Sequence, residues 1–325
     1  MVHAIRVHQT GGPEVLTYEE ISVGEPGPGE ARVRHTAIGL NYIDTYFRSG
    51  LYPAPNGMPF IPGNEGAGVV VSVGEGVTSV KPGDRVAYAG PLGSYAQERL
   101  MPADRLVVLP EGIDDRTAAG MMLKGMTAQY LLRQTYNVTK ETVLLFHAAA
   151  GGVGLIAGQW AAHLGATVIG TAGSAEKVEL AKANGYTHVI NYREENFVER
   201  VKDITGGKGC DVVYDSVGKD TYPGSLDCLK PRGLWASFGQ SSGPIADFNL
   251  GLLAAKGSLY ATRPTLFSYI ASRADLEKTA GDLIDVVSRG IVKIEVNQQY
   301  PLAKAVDAHR DLEGRKTTGT TVLIP

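Results

Sequence analysis

Apolar residues in the first part of the chain fall in short, strand-length clusters separated by turn signals. The clusters are Ala4–His8, Ala31–Leu40, Gly66–Val73 and Arg85–Tyr88, punctuated by Gly-Gly-Pro, Pro-Gly-Pro-Gly and Lys81-Pro82-Gly83-Asp84. With few helical periods between them, such strands predict a compact β-barrel-like domain. From near Gly125 the pattern becomes an alternation. Strands are expected at Thr142–Phe146, Thr167–Thr171, His188–Asn191, Asp211–Asp215 and Leu234–Phe238, with helices at Gly152–Leu164, Ala175–Ala183, Glu194–Thr205 and Tyr222–Leu229. Short buried strands alternating with helices mean parallel βαβ units with right-handed crossovers, a doubly wound α/β sheet of Rossmann type. Beyond Ser258-Leu259-Tyr260 the pattern is mixed, with helix candidates at Ser268–Ser288 and Ala303–Glu313 and a last strand at Thr320–Ile324. The tail reads as returning to the first domain, so that residues 1–124 and 263–325 form one domain and residues 125–262 the other.

One junction in this pattern carries chemistry. The apolar run Val143–Phe146 stops at His147-Ala148-Ala149-Ala150-Gly151-Gly152-Val153-Gly154, and a helix-like run follows. The spacing Ala148-x-x-Gly151-x-x-Gly154 is a variant of the three-glycine fingerprint, which lays a dinucleotide pyrophosphate on N–H groups at a helix start. Gly151 lets the backbone approach phosphate, and Gly154 allows the helix to pack closely on the strand. An NAD-binding fold of this kind usually has an acid at the end of the second strand for the ribose 2′-hydroxyl. Here that strand ends Gly170-Thr171-Ala172-Gly173-Ser174, with Lys177 and Tyr192-Arg193 nearby and Glu176 inside the next helix start. Removing an anion and adding cations suits a 2′-phosphate, so NADPH is the expected cofactor. The alternative leaves Lys177 and Arg193 as solvated surface charges.

Composition narrows the partners. A net charge of −3 argues against nucleic acid or an anionic membrane surface as the main partner. No uninterrupted apolar run is long enough to span a bilayer. The two cysteines, Cys210 and Cys228, make neither a disulfide framework nor a four-cysteine zinc site. Reduced thiols in a cytoplasmic protein are the expectation.

Longer motifs carry a family resemblance that spans the chain. Gly63-Asn64-Glu65-Gly66-Ala67-Gly68 and Val80-Lys81-Pro82-Gly83-Asp84-Arg85-Val86 resemble the medium-chain dehydrogenase/reductase superfamily. In its zinc alcohol dehydrogenases a ligand histidine precedes the glutamate; this chain has Asn64 there. A ligand cysteine would lie within Gly39-Leu40-Asn41-Tyr42-Ile43-Asp44, which has none. Zinc catalysis of that kind is therefore not expected, and no metal site is assigned. Three further segments, Asn41–Tyr52, Val213-Tyr214-Asp215-Ser216-Val217-Gly218 and Phe238-Gly239-Gln240-Ser241-Ser242-Gly243, resemble the zinc-free quinone oxidoreductases, the zeta-crystallin group.

That resemblance implies a chaperonin-10-like β-barrel catalytic domain, an NADPH-binding Rossmann domain and a homodimer. It implies hydride transfer from NADPH to a quinone without zinc, with an NADPH-dependent enone or alkenal reductase as the alternative. A third class is an RNA-binding or crystallin-like structural protein. Asn41, Tyr46 and Tyr52 are the polar groups expected to meet the developing oxyanion, with Asn41 also touching cofactor. Tyrosine donates a hydrogen bond while neutral at pH 7; half-buried barrel aromatics are the other reading of Tyr46 and Tyr52. Besides Gly151, Gly152, Val153 and Gly154, the expected cofactor contacts begin with Thr127, taken to open the helix leading into the nucleotide domain. Gly173, Ser174, Lys177 and Tyr192 are expected around the adenosine phosphate. Ser216 and Val217 follow the fourth strand, and Phe238, Gly239, Ser241 and Ser242 the fifth, where ligands of doubly wound sheets sit. Arg263 and Arg315 resemble family contacts to the nicotinamide end and the phosphates. Asp44 and Arg48, at i,i+4 spacing, are expected to form a structural ion pair, and His147 to be a packed, backbone-bonded histidine.

Overall fold

The structure, a computed structural model, describes residues 1–325. The chain packs as two units, Met1–Lys124 with Ile270–Gly281 and Ile294–Pro325, and Gly125–Tyr269 with Asp282–Lys293. Residues 263–269 and 282–293, placed above with the first domain, therefore pack with the second. The reasons are local. Asp282 accepts a 2.8 Å bond from Gln129 Nε2, Leu283 lies against Gly125, and Gln159 bonds the backbone of Lys293.

In the first unit, β1 (Val2–Val7) and β2 (Leu16–Ile21) form an antiparallel pair. Then come β3 (Glu30–Leu40), α1 (Tyr42–Ser49), β4 (Glu65–Val73), β5 (Arg85–Ala89), β6 (Glu98–Pro102), β7 (Val107–Val108) and α2 (Asp115–Tyr130), of which the residues from Gly125 on belong to the second unit. The long β3 is the spine of a seven-stranded sheet: β4 pairs along one edge, and β6 takes the first half of the other. Gly68 permits this, since a Cβ there would lie 2.0 Å from the Arg34 carbonyl oxygen. Val33, Val70, Val86, Tyr88, Met101 and Leu106 fill the core beneath it.

The second unit alternates as the periodicity predicts. It holds β8 (Val143–Phe146), α3 (Gly152–His163), β9 (Thr167–Ala172), α4 (Ala175–Ala183), β10 (His188–Asn191), α5 (Phe197–Ile204), β11 (Cys210–Asp215), α6 (Gly224–Asp227), β12 (Leu229–Ser237), α7 (Gly251–Ala255), β13 (Tyr260–Thr262) and α8 (Leu266–Tyr269). The six strands are parallel in the order β10-β9-β8-β11-β12-β13. The order reverses between β8 and β11, which makes their carboxyl ends the topological switch point of the sheet. The middle strands are buried on both faces, and β11 is buried throughout, as parallel sheets require. Cys210 and Cys228 lie free in this core, where burial pushes the Cys210 thiol up to about 12 and leaves it inert.

The tail carries α9 (Arg273–Ser288), β14 (Val296–Pro301), α10 (Ala305–Glu313) and β15 (Thr320–Ile324). β15 pairs antiparallel with the second half of β3, and β14 lies parallel to β15. The single helix expected over Ser268–Ser288 is broken before Arg273. Ser272 stops it, its hydroxyl accepting from the Asp275 N–H at 3.1 Å as an N-cap does. The helix expected over Tyr222–Leu229 shrinks to α6, and β14 was not expected at all.

Candidate functional site

The glycine turn sits at the switch point of the second unit. Ala148 takes φ 57°, a left-handed conformation that favours glycine, so the methyl is carried at a cost of about 1 kcal/mol. Gly151 is the N-cap of α3 and brings no side chain to it, so the first N–H groups of the helix, on Gly152, Val153 and Gly154, face outward for an anion. A Cβ on Gly154 would lie 2.5 Å from the Ala148 oxygen and 2.6 Å from that of Ala149. That is the close helix–strand packing the fingerprint demands.

The next turn gathers the adenosine-side candidates. Ser174 caps α4 by accepting from the Lys177 N–H at 3.3 Å, which places Lys177 in the first turn of that helix. The Tyr192 hydroxyl rests on Gly173, where a Cβ would come within 2.4 Å of it. Gly173, Ser174, Lys177 and Tyr192 are thus brought together, and no carboxylate caps this helix.

A buried carboxylate organises the far side. Asp215, at the end of β11, accepts from the Val217 and Gly218 N–H groups, the Thr221 and Ser225 hydroxyls and Trp235 Nε1. Burial works against its charge, but the bonds from Ser225, Thr221 and Val217 hold the carboxyl below its ordinary range. Ser225 spends its proton on Asp215, so it must accept from His147 Nε2 at 3.1 Å; Nδ1 then accepts from the Thr171 hydroxyl at 3.0 Å. Burial pushes His147 down and keeps the ring neutral, which makes Nδ1 the acceptor, and its side chain bonds hydroxyls, not backbone as expected. The turn after β12 is stitched to the turn after β11: Ser241 N–H donates to the Ser216 oxygen at 3.1 Å, and Ser242 Oγ to the Val217 oxygen at 2.8 Å. Gly239 makes room, since a Cβ there would be 2.7 Å from the Ser216 oxygen. Arg263 anchors on the Ser237 carbonyl at 2.7 Å, beside Phe238. Ser216, Val217, Phe238, Gly239, Ser241, Ser242 and Arg263 thus share one rim. Thr127 belongs to the same unit, but it lies buried late in α2 and does not open a helix.

The first unit holds the remaining candidates. Asn41 is the N-cap of α1, in extended conformation, and Gly50 ends the helix at φ 83°. The Asn41 amide donates from Nδ2 to Glu65 Oε2 at 2.8 Å. A carboxylate accepts only, so this fixes the amide's direction and leaves the Asn41 Oδ1 as its accepting atom. Lys124 Nζ meets the same Glu65 oxygen at 2.9 Å, and the Leu123 N–H donates to the other. Tyr46 is buried and Tyr52 half-buried, their rings edge to face at 5.2 Å. Arg315 is exposed in the tail at φ 58°. The expected Asp44–Arg48 ion pair does not form. Arg48 reaches instead to Glu313 at 2.7 Å, and Asp44 turns to Asn41 and Tyr95. Glu65, Lys124 and Asp215 were not singled out from the sequence, although Glu65 and Asp215 lie inside the quoted motifs.

The donor set does not fit a zinc ion. Asn64 Nδ2 donates to the Gly90 carbonyl at 2.9 Å, and no three His, Cys, Asp or Glu side chains converge to hold a metal. The nucleotide turn, by contrast, fits a dinucleotide phosphate in both backbone direction and clearance.

The alcohol dehydrogenase GroES-like domain family matches residues 27–142, and the zinc-binding dehydrogenase family residues 152–284. A quinone oxidoreductase of Pseudomonas aeruginosa is 55% identical over the whole of both chains. The crystal structure of Escherichia coli quinone oxidoreductase complexed with NADPH is 51% identical and superposes with a TM-score of 0.98, covering 99% of this chain and 100% of that one. A 2-haloacrylate reductase of Burkholderia is 48% identical over 100% of this chain and 99% of its own.

Proposed function

Because the chain belongs to the quinone oxidoreductases of the medium-chain dehydrogenase/reductase superfamily, we propose that it reduces quinones with NADPH and without zinc. The observation that carries this reading is the turn Ala148–Gly154, whose backbone is shaped for a dinucleotide, beside an α4 start that offers a lysine where an NAD enzyme has an acid. Bound there, NADPH supplies a hydride to an acceptor that is already electrophilic. The N–H groups of Gly152, Val153 and Gly154 hold the pyrophosphate. Gly173, Ser174, Lys177 and Tyr192 hold the 2′-phosphate end, and the rim from Ser216 to Arg263 orients the rest. Thr127 and Arg315 complete the cofactor set. Tyr46 and Tyr52 offer hydroxyl donors to the developing oxyanion. Asn41, its amide spent on Glu65, accepts from a donor on cofactor or substrate. The protein works as a cytoplasmic homodimer.

Mixing the protein with NADPH and a naphthoquinone in the presence of chelator is expected to bleach the NADPH absorbance. A protein that binds NADPH yet oxidises none with any quinone would overturn the reading. The similarity to a 2-haloacrylate reductase favours one second reading, reduction of an activated alkene by the same hydride step. Faster turnover of enones than of quinones would favour it.

Lys177→Ala is expected to weaken NADPH roughly ten- to a hundredfold, the worth of one charge-assisted bond, and to leave NADH untouched. Titration of both cofactors checks this, and equal effects on the two would remove Lys177 from phosphate recognition.

A further inference from the structure

The start of α1 is held by a buried acid. Asp44 is 0% exposed, and its Oδ2 accepts from the Asn41 N–H at 2.9 Å and the Tyr95 hydroxyl at 3.0 Å. Its Oδ1 is buried and makes no hydrogen bond. Behind Tyr95 stands His309 of α10, with Nε2 3.0 Å from the same hydroxyl and Nδ1 3.0 Å from Arg48. A guanidinium only donates, so Nδ1 accepts; neutral His309 carries its proton on Nε2 and gives it to the Tyr95 oxygen. Tyr95's own proton is left for Asp44. Burial, with Arg48 adding to it, pushes His309 down to about 3, so this direction holds through neutral pH. The donors therefore run one way and end on Asp44. The remaining charges around it are paired: Arg48 with Glu313, and Lys124 with Glu65.

We propose that Asp44 is a positioning residue for quinone reduction, its ionised carboxylate clamping the Asn41 backbone and setting the head of α1, and that the clamp loosens when the carboxylate takes up a proton. The inference rests on the NADPH:quinone reading above. An ionised carboxylate accepts stronger bonds than a protonated one and suits the positive end of a helix. Protonation weakens Oδ2 as an acceptor and brings in an O–H that Asp44's present contacts do not satisfy. The change falls in a working range, because burial raises the carboxyl from its ordinary value to about 7. The bonds from Asn41 and Tyr95 and the charge of Lys124 pull it down, and Glu65 pushes it up. The folded value lies above the unfolded 3.8, so native stability falls as pH rises from about 4 to about 7 and is level beyond. The site accepts that loss in exchange for a charged clamp.

The test follows kcat/KM against pH with NADPH and a naphthoquinone. A rise of up to roughly tenfold is expected across an inflection near 7. Asp44→Asn flattens it. Tyr95→Phe, which removes a bond favouring the ionised form, moves the inflection to higher pH. In cofactor-free protein labelled at the aspartate carboxyl carbons, one NMR resonance should titrate near 7 and be missing from Asp44→Asn. An unchanged profile in Asp44→Asn, or no aspartate titrating near neutrality, overturns the proposal. A wild-type protein that oxidises no NADPH at any pH strikes the quinone reading instead, and the NMR titration then decides the Asp44 carboxyl by itself.

Discussion

Gly154→Ala is expected to abolish useful NADPH binding while leaving a folded protein. The added methyl would stand 2.5 Å from the oxygen of Ala148 and 2.6 Å from that of Ala149. Both are backbone atoms of the turn itself, so no side chain can rotate away. The start of α3 must move off β8, and its outward N–H groups lose their common focus. Overpacking of this kind costs about 1–3 kcal/mol of stability. The loss in affinity should be larger, on the order of a hundredfold or more, since several phosphate bonds are misdirected together. Gly281→Ala is the control. It lies within α9, and a Cβ there meets nothing within 4 Å, so it should be neutral or stabilise by up to about 1 kcal/mol. Calorimetric NADPH titration with thermal melts of both variants checks the contrast. Wild-type affinity in Gly154→Ala would mean that the pyrophosphate lies elsewhere.

The second large effect belongs to Asp215. Asp215→Ala strands the Ser225 hydroxyl, the Val217 and Gly218 N–H groups and Trp235 Nε1 in the core, while the Thr221 hydroxyl keeps the Gly218 carbonyl at 3.0 Å. At about 1–3 kcal/mol for each donor left truly unsatisfied, and with some relaxation, a loss of roughly 3–5 kcal/mol is expected. Asp215→Asn keeps an acceptor for the two backbone N–H groups and should cost less than half as much. The sign of the pH dependence follows from the depressed carboxyl. Its contribution is complete above the ordinary value of 3.8 and is lost as pH falls through the lower folded value, so wild type and Asp215→Asn converge in strong acid. Because Asp215 ties down the Val217–Gly218 turn, both variants should also raise the KM for NADPH, more so in Asp215→Ala. Denaturant melts across pH, with KM measured in parallel, provide the check. Lowered stability with unchanged KM would make the carboxylate a core support with no part in holding cofactor.

Much of the doubly wound unit was legible because its signals are local. The bounds of α4 and β10, and of β15 in the other unit, fall where periodicity and flanking glycines put them, at Ala175–Ala183, His188–Asn191 and Thr320–Ile324. A helix or strand half in water shows its period in the residues themselves. α2 was invisible for the converse reason: from Ala118 to Leu132 nearly every residue is buried, so no polar face marks a period, and Thr127 was taken for a helix start. β14 was missed as well, its inward and outward residues Val296-Asn297-Gln298-Gln299-Tyr300-Pro301 giving little apolar alternation.

The site divides in the same way. The glycine turn, the missing acid after β9 and the absent zinc ligands are properties of adjacent residues, and they set the cofactor class and the reaction type. Which group meets which was decided only in three dimensions. Arg48 has Asp44 one helical turn away, yet it pairs with Glu313 and touches His309, 265 and 261 positions along the chain. Asn41 reads as a donor until Glu65, 24 positions on, claims its amide. The amino-acid order of this protein dictates its alternating elements and its glycine turn, because those rest on contacts within a few residues. The tertiary structure alone assigns the partners of its buried acids, because a carboxylate out of water takes whichever donors the packing of distant segments brings within 3 Å or so.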